Sequence, residues 1–183
     1  TFIYTATDMV GKAMSFILLP IVSFYMPPDE LGLATNFTVL TNLIVLLAGL
    51  ALVNSLPYFY YVQKREEVVL MVSNLLLLCF SLCILIVGLI SVFSGLVEKF
   101  LQLDLKIQLI SIFFVLGSLV TQTNFLLLRL ENKAKSFAFI QIFQIVLHAA
   151  VVVLFVIVLR QGGIGKIYAE VLVYVIMGLF SFI

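Results

Sequence analysis

The stretch that decides the fold is residues 68–97, VVLMVSNLLLLCFSLCILIVGLISVFSGLV, which contains no charged side chain. A helix needs about 20 mostly apolar residues to cross the hydrocarbon core of a bilayer. The stretch lacks the strict alternation of apolar and polar residues that is typical of a strand in a membrane barrel. It therefore predicts a membrane-crossing helix.

The composition of the whole chain agrees with this prediction. Of its 183 residues, 64% are hydrophobic and 10% are charged, and the formal net charge is +1. A soluble domain usually carries about 25% charged residues, so a soluble globule could not cover its surface with so few charges. The small net charge also excludes a nucleic-acid binder, because phosphate contacts need a basic surface. The sequence predicts an integral membrane protein.

Polar residues divide the chain into apolar runs that are each long enough to cross a membrane. We predict an all-α integral membrane protein with six transmembrane helices, at about residues 1–25, 36–61, 68–97, 107–128, 137–159 and 167–183. The first and last runs begin and end without flanking polar sequence, so we expect a fragment of a longer protein. The connections are short, and no sizeable domain is expected outside the membrane.

The basic residues of the loops indicate the orientation. The loops after the second and fourth runs hold five of them (Lys64, Arg65, Arg129, Lys133 and Lys135), and the opposite loops hold four (Lys99, Lys106, Arg160 and Lys166). Because cytoplasmic loops carry the excess of Lys and Arg, this small bias places the amino terminus in the cytoplasm. Cys79 and Cys83 have no other Cys or His near them, and we interpret them as lipid-facing or packed apolar residues.

Charged side chains in the first and last runs are costly in a membrane and therefore informative. Asp8 and Lys12 lie four residues apart on one helix face, which predicts an ion pair near the cytoplasmic interface. The alternative is a charged cavity wall in which Asp8 binds a proton or a cation. Glu170 lies one turn into the last run, and Lys166, in the loop before it, has the same four-residue spacing, which predicts an interfacial ion pair. The glycines of residues 162–165 predict a turn between spans.

One face of the fourth run carries Ser118, Gln122, Phe125 and Arg129, and all of these except Phe125 are polar. Arg129 either extends to the interface, as long basic side chains do, or presents its planar guanidinium to a phosphate.

The fifth run carries a second stripe, formed by Gln141, Gln144 and His148, and Thr38 and Asn42 mark a similar face of the second run. The single histidine is either a hydrogen-bonded packing group or part of a polar inner wall. Gly49 and Ala48 favour close helix packing, and Pro20 and Pro57 predict helix kinks.

The motifs of membrane enzymes are absent from the sequence. It contains no GxSxG element with a partner histidine, no HExxH motif and no P-loop. One histidine and two cysteines in apolar sequence make no convincing metal or haem site. We therefore expect neither an enzyme nor a cofactor-binding protein, and a transporter or a membrane binding module is left.

Four segments of the chain resemble a known family in order and spacing. They are GKAMSFILLP at residues 11–20 with PPDELGL at 27–33, GLALVNSLPYFYY at 49–61, LRLENKAKSF at 128–137 and GGIG at 162–165. These segments are similar to the first, second, fourth-to-fifth and sixth helix motifs of the bacterial polysaccharide (O-antigen) flippases. Those Wzx-like proteins belong to the multidrug/oligosaccharidyl-lipid/polysaccharide exporter superfamily. Tyr58 stands where the family often has a basic residue.

The resemblance implies a fold and a function beyond what composition shows. Such flippases have two six-helix lobes, so this chain would be the amino-terminal lobe and its partner would be a missing carboxy-terminal lobe of the same chain. The implied substrate is an undecaprenyl-diphosphate-linked oligosaccharide, moved across the bacterial cytoplasmic membrane by alternating access and driven by a proton or sodium gradient. On that reading the candidates are Lys12 and Arg129 for anion binding, Gln122, Gln144 and Asn42 for sugar binding, and Asp8 and His148 for ion coupling.

The sequence is also compatible with other functions. Within the same superfamily, the alternatives are a lipid II flippase and a multidrug/cation antiporter. From other classes, a six-helix chain could be the small-molecule-binding subunit of an energy-coupling transporter, or a membrane scaffold that transports nothing. The charges inside the predicted spans argue mildly against a scaffold.

Overall fold

The structure is a computed structural model that describes residues 2–62 and 65–181, with the side chains at 50–55, 65 and 66 outside the description. Lys64 and the outer ends of the first and last predicted spans, Thr1 and Ile183, lie outside the described residues.

The described residues form helices and no strand. Six of the helices are long and apolar enough to cross a membrane, which confirms the prediction of an all-α, multi-pass membrane protein. In chain order the helices are α1 (Phe2–Tyr25), α2 (Pro28–Val62), α3 (Arg65–Val92), α4 (Ser94–Leu101), α5 (Leu105–Leu130), α6 (Ala134–Val153) and α7 (Gly162–Phe180). A π-helical segment, Leu154–Val158, extends α6.

The second helix begins earlier than the sequence predicted. It starts at Pro28 rather than near Asn36, and the residues interpreted as a loop form its first turn. Proline suits the first position of a helix because the amide hydrogen that it lacks has no partner there. Asp29 and Glu30 follow in the first turn, where negative charge is favourable.

The third predicted span is divided in two. Helix α3 ends at Val92, and residues 94–101 form the separate short helix α4. Gln102 ends α4 in the left-handed conformation, at φ 55°. The Asn36 side-chain amide of α2 donates a 2.9 Å hydrogen bond to the Leu101 carbonyl and attaches the end of α4 to the bundle. The apolar sequence continues across the break, so periodicity could not reveal it.

Helices α5 and α7 form the centre of the bundle. Gly117 of α5 lies against the backbone of α7, since a Cβ at this position would be 2.3 Å from the Tyr174 carbonyl oxygen. On the same contact, a Cβ at Gly178 would be 3.0 Å from the Gly117 Cα. Such small residues let helix backbones approach closely in membranes. The sequence favours Gly49 for this role, and Gly49 does pack against Leu119, but no sequence signal distinguished Gly117.

The other helices surround this centre in a defined order. Helix α2 packs against α5, α7 and α3, while α1 packs mainly against α6. Helices α1 and α2 run without interruption through Pro20 and Pro57. Cys79 and Cys83 are fully buried in the core, which decides between their two interpretations in favour of packing.

Tertiary contacts define two ends of the bundle. At one end, the Gly163 amide of α7 donates a 2.9 Å hydrogen bond to the Glu30 carboxylate of α2. At the other end, Asp8 of α1 meets Arg129 of α5. We call these the Glu30 end and the Asp8 end.

Candidate functional site

A cluster of charged and polar side chains joins three helices at the Asp8 end. One guanidinium nitrogen of Arg129 donates to both carboxylate oxygens of Asp8, at 3.2 and 3.1 Å. The side-chain amide of Gln141 in α6 donates to Asp8 Oδ1 at 2.8 Å. We call Asp8, Arg129 and Gln141 the polar cluster. Hydrogen bonds that involve an ionised group are the stronger ones in proteins, so the cluster attaches α1 to α5 and α6.

The predicted ion pair between Asp8 and Lys12 is wrong. In the part of the chain that the structure describes, Lys12 forms no ion pair and its side chain is exposed. The two residues share a helix face, as their spacing requires, but Arg129 and Gln141 reach the Asp8 carboxylate from neighbouring helices. Helix periodicity cannot show such partners, because it contains no information about which helices are adjacent.

The Arg129 guanidinium also contacts an aromatic ring. It lies 4.7 Å from the centroid of the Phe137 ring, a distance at which a cation is attracted to the ring face. Phe137 is fully buried and makes edge contacts with Tyr4 and Phe125. Arg129 nevertheless remains 46% exposed. Its guanidinium is therefore both positioned and accessible, although Arg129 stands only one residue before the end of α5.

Helix α1 has one buried side and two different exposed flanks. The buried side, with Thr7, Leu18 and Val22, packs on α6. Helical spacing of 3.6 residues per turn places Asp8, Lys12 and Ser15 on one flank. The opposite flank is apolar and includes Val10, Ile17 and Ile21. Because Asp8 contacts Arg129, the polar flank is the one that faces α5.

A cavity of about 240 Å³ lies between α2 and α5 and includes Arg129 in its lining. Its lining includes Gly49 of α2 and Leu119, Gln122, Phe125 and Arg129 of α5. Gln122 donates a 2.9 Å hydrogen bond to the Ser118 hydroxyl, which confirms that the two share a helix face. Asn42 is exposed and precedes Gly49 by two helical turns, so it lies on the same side of α2.

We give the name α1–α2 groove to the region bordered by the polar flank of α1, by the side of α2 that carries Asn42 and Gly49, and by Gln122, Arg129 and Gln141. Of the candidates from the sequence, the structure brings Asp8 into contact with Arg129 and places Gln122 beside Arg129 in the lining of the cavity. Lys12 and Asn42 lie exposed on α1 and α2. Gln141, which the sequence places on a polar stripe but not among the site residues, also contacts Asp8.

The other two candidates, Gln144 and His148, lie on α6 and are half-buried. His148 follows Gln141 by seven residues, about 10.5 Å along the helix axis toward the Glu30 end. Asp8 contacts Gln141, so His148 lies about two helical turns away from that contact. The two ion-coupling candidates, Asp8 and His148, are therefore not brought together.

The predicted ion pair between Lys166 and Glu170 is confirmed, with 3.8 Å between Nζ and Oε1. The pair lies well within α7, however. Helix α7 begins at Gly162 rather than near Ile167, so Glu170 is about 12 Å along the helix axis. The two side chains are only 20% and 12% exposed.

The glycines at the start of α7 explain the earlier helix start. Residues 162–165, predicted as a turn between spans, form the first turn of α7. A Cβ at Gly163 would be 2.4 Å from the Glu30 carbonyl oxygen. Glycine therefore allows the Glu30 carboxylate to reach the Gly163 amide, which has no partner within the helix, at a helix start where negative charge is favourable.

In comparisons with protein-family models, curated proteins and solved structures, no match to this chain was found. Within the described residues, no group of three or more His, Cys, Asp or Glu side chains is placed to hold a metal ion.

Proposed function

We propose that this chain forms the amino-terminal lobe of a transporter, not an enzyme, that flips undecaprenyl-diphosphate-linked oligosaccharide across the bacterial cytoplasmic membrane by alternating access. In this proposal the Asp8 end faces the cytoplasm, where such a substrate is made. A second lobe of the same protein closes the other side of the α1–α2 groove. A proton or sodium gradient drives transport, and the protein needs no bound cofactor.

The observation that carries the proposal is the position of Arg129. Its side chain is 46% exposed at one end of a membrane-crossing helix, and its guanidinium contacts Asp8 and the Phe137 ring. A guanidinium binds phosphate through two parallel hydrogen bonds, and only one of its terminal nitrogens contacts Asp8. The other donors are available to a diphosphate. Without substrate, the Asp8 carboxylate binds Arg129, and the diphosphate of the substrate competes with it for the guanidinium.

The neighbouring residues fit the remaining parts of the substrate. Lys12 adds a second positive charge on the polar flank of α1, about 6 Å along the helix from Asp8. Gln122 and Asn42 offer amide groups to sugar hydroxyls from α5 and α2. The apolar flank of α1 faces the bilayer, where the polyprenyl chain of the substrate remains. Gln144 is a further candidate for sugar binding, and Asp8 and His148 are the candidates for ion coupling.

A vesicle assay tests the proposal. The product of the complete gene is reconstituted into phospholipid vesicles with a fluorescent undecaprenyl-diphosphate-linked oligosaccharide, and flipping is followed by protection of the label from an added quencher. We expect Arg129→Ala to lower the initial rate at least about tenfold, since a hydrogen bond to a charged group contributes about 1.5–3 kcal/mol. Arg129→Lys should restore only part of it, because an ammonium cannot make two parallel bonds.

Matched variants show whether the effect belongs to the groove. Lys12→Ala should also lower the rate, whereas Lys99→Ala removes an exposed charge from α4 and should change nothing. Full activity of Arg129→Ala and Lys12→Ala at normal protein levels would remove the groove from the mechanism. Flipping of lipid II or of a cationic drug, without flipping of the oligosaccharide, would transfer the function to another branch of the superfamily.

A further inference from the structure

A second group of ionisable side chains lies inside the bundle, away from the polar cluster. Lys166, Glu170 and Tyr174 occupy successive turns on one side of α7. His148 of α6 lies within the electrostatic influence of Lys166, and Tyr174 within that of Glu170. No other described ionisable group faces Glu170. Between residues 31 and 57, α2 contains none, and neither does α5 between residues 107 and 128 or the π-helical segment.

The surroundings of Glu170 differ from those of Asp8 in two respects. The Glu170 side chain is 12% exposed, against 41% for Asp8. In the described part of the chain, no group donates a hydrogen bond to the Glu170 carboxylate. The Nζ atom of Lys166 is 3.8 Å from its Oε1 atom. Asp8, in contrast, accepts hydrogen bonds from both Arg129 and Gln141.

Packing on the α5 side keeps the surroundings of Glu170 closed. The Tyr174 ring lies 4.5 Å from the Phe114 ring, and Gly117 touches the α7 backbone at Tyr174. A carboxylate in such an apolar setting is stabilised as an ion only while a counter-charge is close, and otherwise it takes up a proton. The distance between Lys166 and Glu170 therefore controls which form of Glu170 is present.

We propose that Glu170 is the proton-binding site of this transporter and that Lys166 is the counter-ion that releases the proton. The proposal rests on the proposed function and names the residue that couples it to a proton gradient. Protonation joins one proton from water to a carboxylate oxygen of Glu170. Asp8, which accepts hydrogen bonds from Arg129 and Gln141, serves to position Arg129.

Labelling of carboxyl groups tests the site without any transport measurement. Dicyclohexylcarbodiimide is an apolar reagent that reacts with protonated carboxyl groups in membranes. The full-length protein in lipid nanodiscs is treated with it over a series of pH values, and each modified residue is quantified by mass spectrometry. We expect Glu170 to be modified at least tenfold faster than Asp8, at a rate that falls as the pH rises. Lys166→Met should extend the labelling of Glu170 to higher pH.

Two further measurements complete the test. Glu98→Gln, which changes an exposed carboxylate on α4, should leave the labelling of Glu170 unchanged. An infrared difference spectrum between acidic and alkaline samples should show a protonated-carboxyl band that Glu170→Gln removes, and this needs no reagent to enter the bundle. The proposal is overturned if Glu170 is unmodified and the wild-type and Glu170→Gln spectra coincide.

The outcomes separate this proposal from the proposed function. Labelling of Glu170 in a protein that flips no lipid-linked oligosaccharide supports the proton site and rejects the flippase. Flipping that persists in Glu170→Gln with an unchanged dependence on the proton gradient rejects the proton site and leaves the flippase standing.

Discussion

The energetic coupling between Asp8 and Arg129 will show whether the α1–α2 groove contains water. A transporter for a hydrophilic glycan needs a groove that is hydrated when open to the cytoplasm. We consider Asp8→Asn, Arg129→Gln and the double variant, which together form a double-mutant cycle. The cycle isolates the interaction between the two side chains from their other contacts.

The structure sets the expected magnitude. Asp8 and Arg129 are 41% and 46% exposed, and a single nitrogen serves both carboxylate oxygens instead of the two parallel bonds of the strongest geometry. Exposed ion pairs contribute about 0.2–1 kcal/mol, whereas breaking a buried pair costs about 3–5 kcal/mol. Gln141 continues to bind Asp8 after Arg129 is replaced, which lowers the penalty further. We expect a coupling free energy of about 0.5–1 kcal/mol.

The free energy of unfolding of the four proteins is measured in mixed micelles by denaturation with a strong detergent, at low and at high salt. Coupling through water should decrease at high salt, because mobile ions screen exposed charges. A coupling of about 3 kcal/mol or more that does not depend on salt would mean that the pair is sealed from water. That result would refute the hydrated groove and the role of Arg129 as an accessible anion site.

Two further pairs of substitutions test the packing of α7. Gly117→Ala places a Cβ 2.3 Å from the Tyr174 carbonyl oxygen and should destabilise the protein by about 1–3 kcal/mol, whereas Gly88→Ala, with no atom within 4 Å, should be neutral or slightly stabilising in a thermal unfolding assay. Equal effects of the two would contradict the close contact of α5 and α7. Glu30→Ala should lower stability by about 1 kcal/mol through loss of its bond to the Gly163 amide, and Glu30→Gln by less, in the same assay. A neutral Glu30→Ala would show that water replaces the carboxylate at the start of α7.

The sequence was sufficient for the number and type of the helices, because about 20 apolar residues in a row have few structural alternatives. It was less informative about where helices begin. Pro28 and Gly162 belong to residue types that usually mark turns, yet both start helices here. At Gly162, the contact that favours a helix comes from Glu30, more than 130 residues away, and no local rule includes it.

The same limit applies to the candidate site. Helical spacing correctly placed Gln122 with Ser118, and Glu170 with Lys166, because both members of each pair lie on one helix. It gave Asp8 the wrong partner, since the choice between Lys12 and Arg129 depends on which helices are neighbours. Spacing identifies polar faces, but tertiary packing decides which faces meet.

The small buried surface of α1 has a consequence for how the protein can evolve. Only Thr7, Leu18 and Val22 of this helix are buried in the bundle, whereas α5 contributes eleven buried residues. Substitutions on the polar flank of α1 therefore change the charge and hydrogen bonding of the groove without disturbing the core of α2, α5 and α7. In the proposed transporter, recognition and stability would then depend on different helices, so that substitutions in α1 would change the substrate while the scaffold stayed the same.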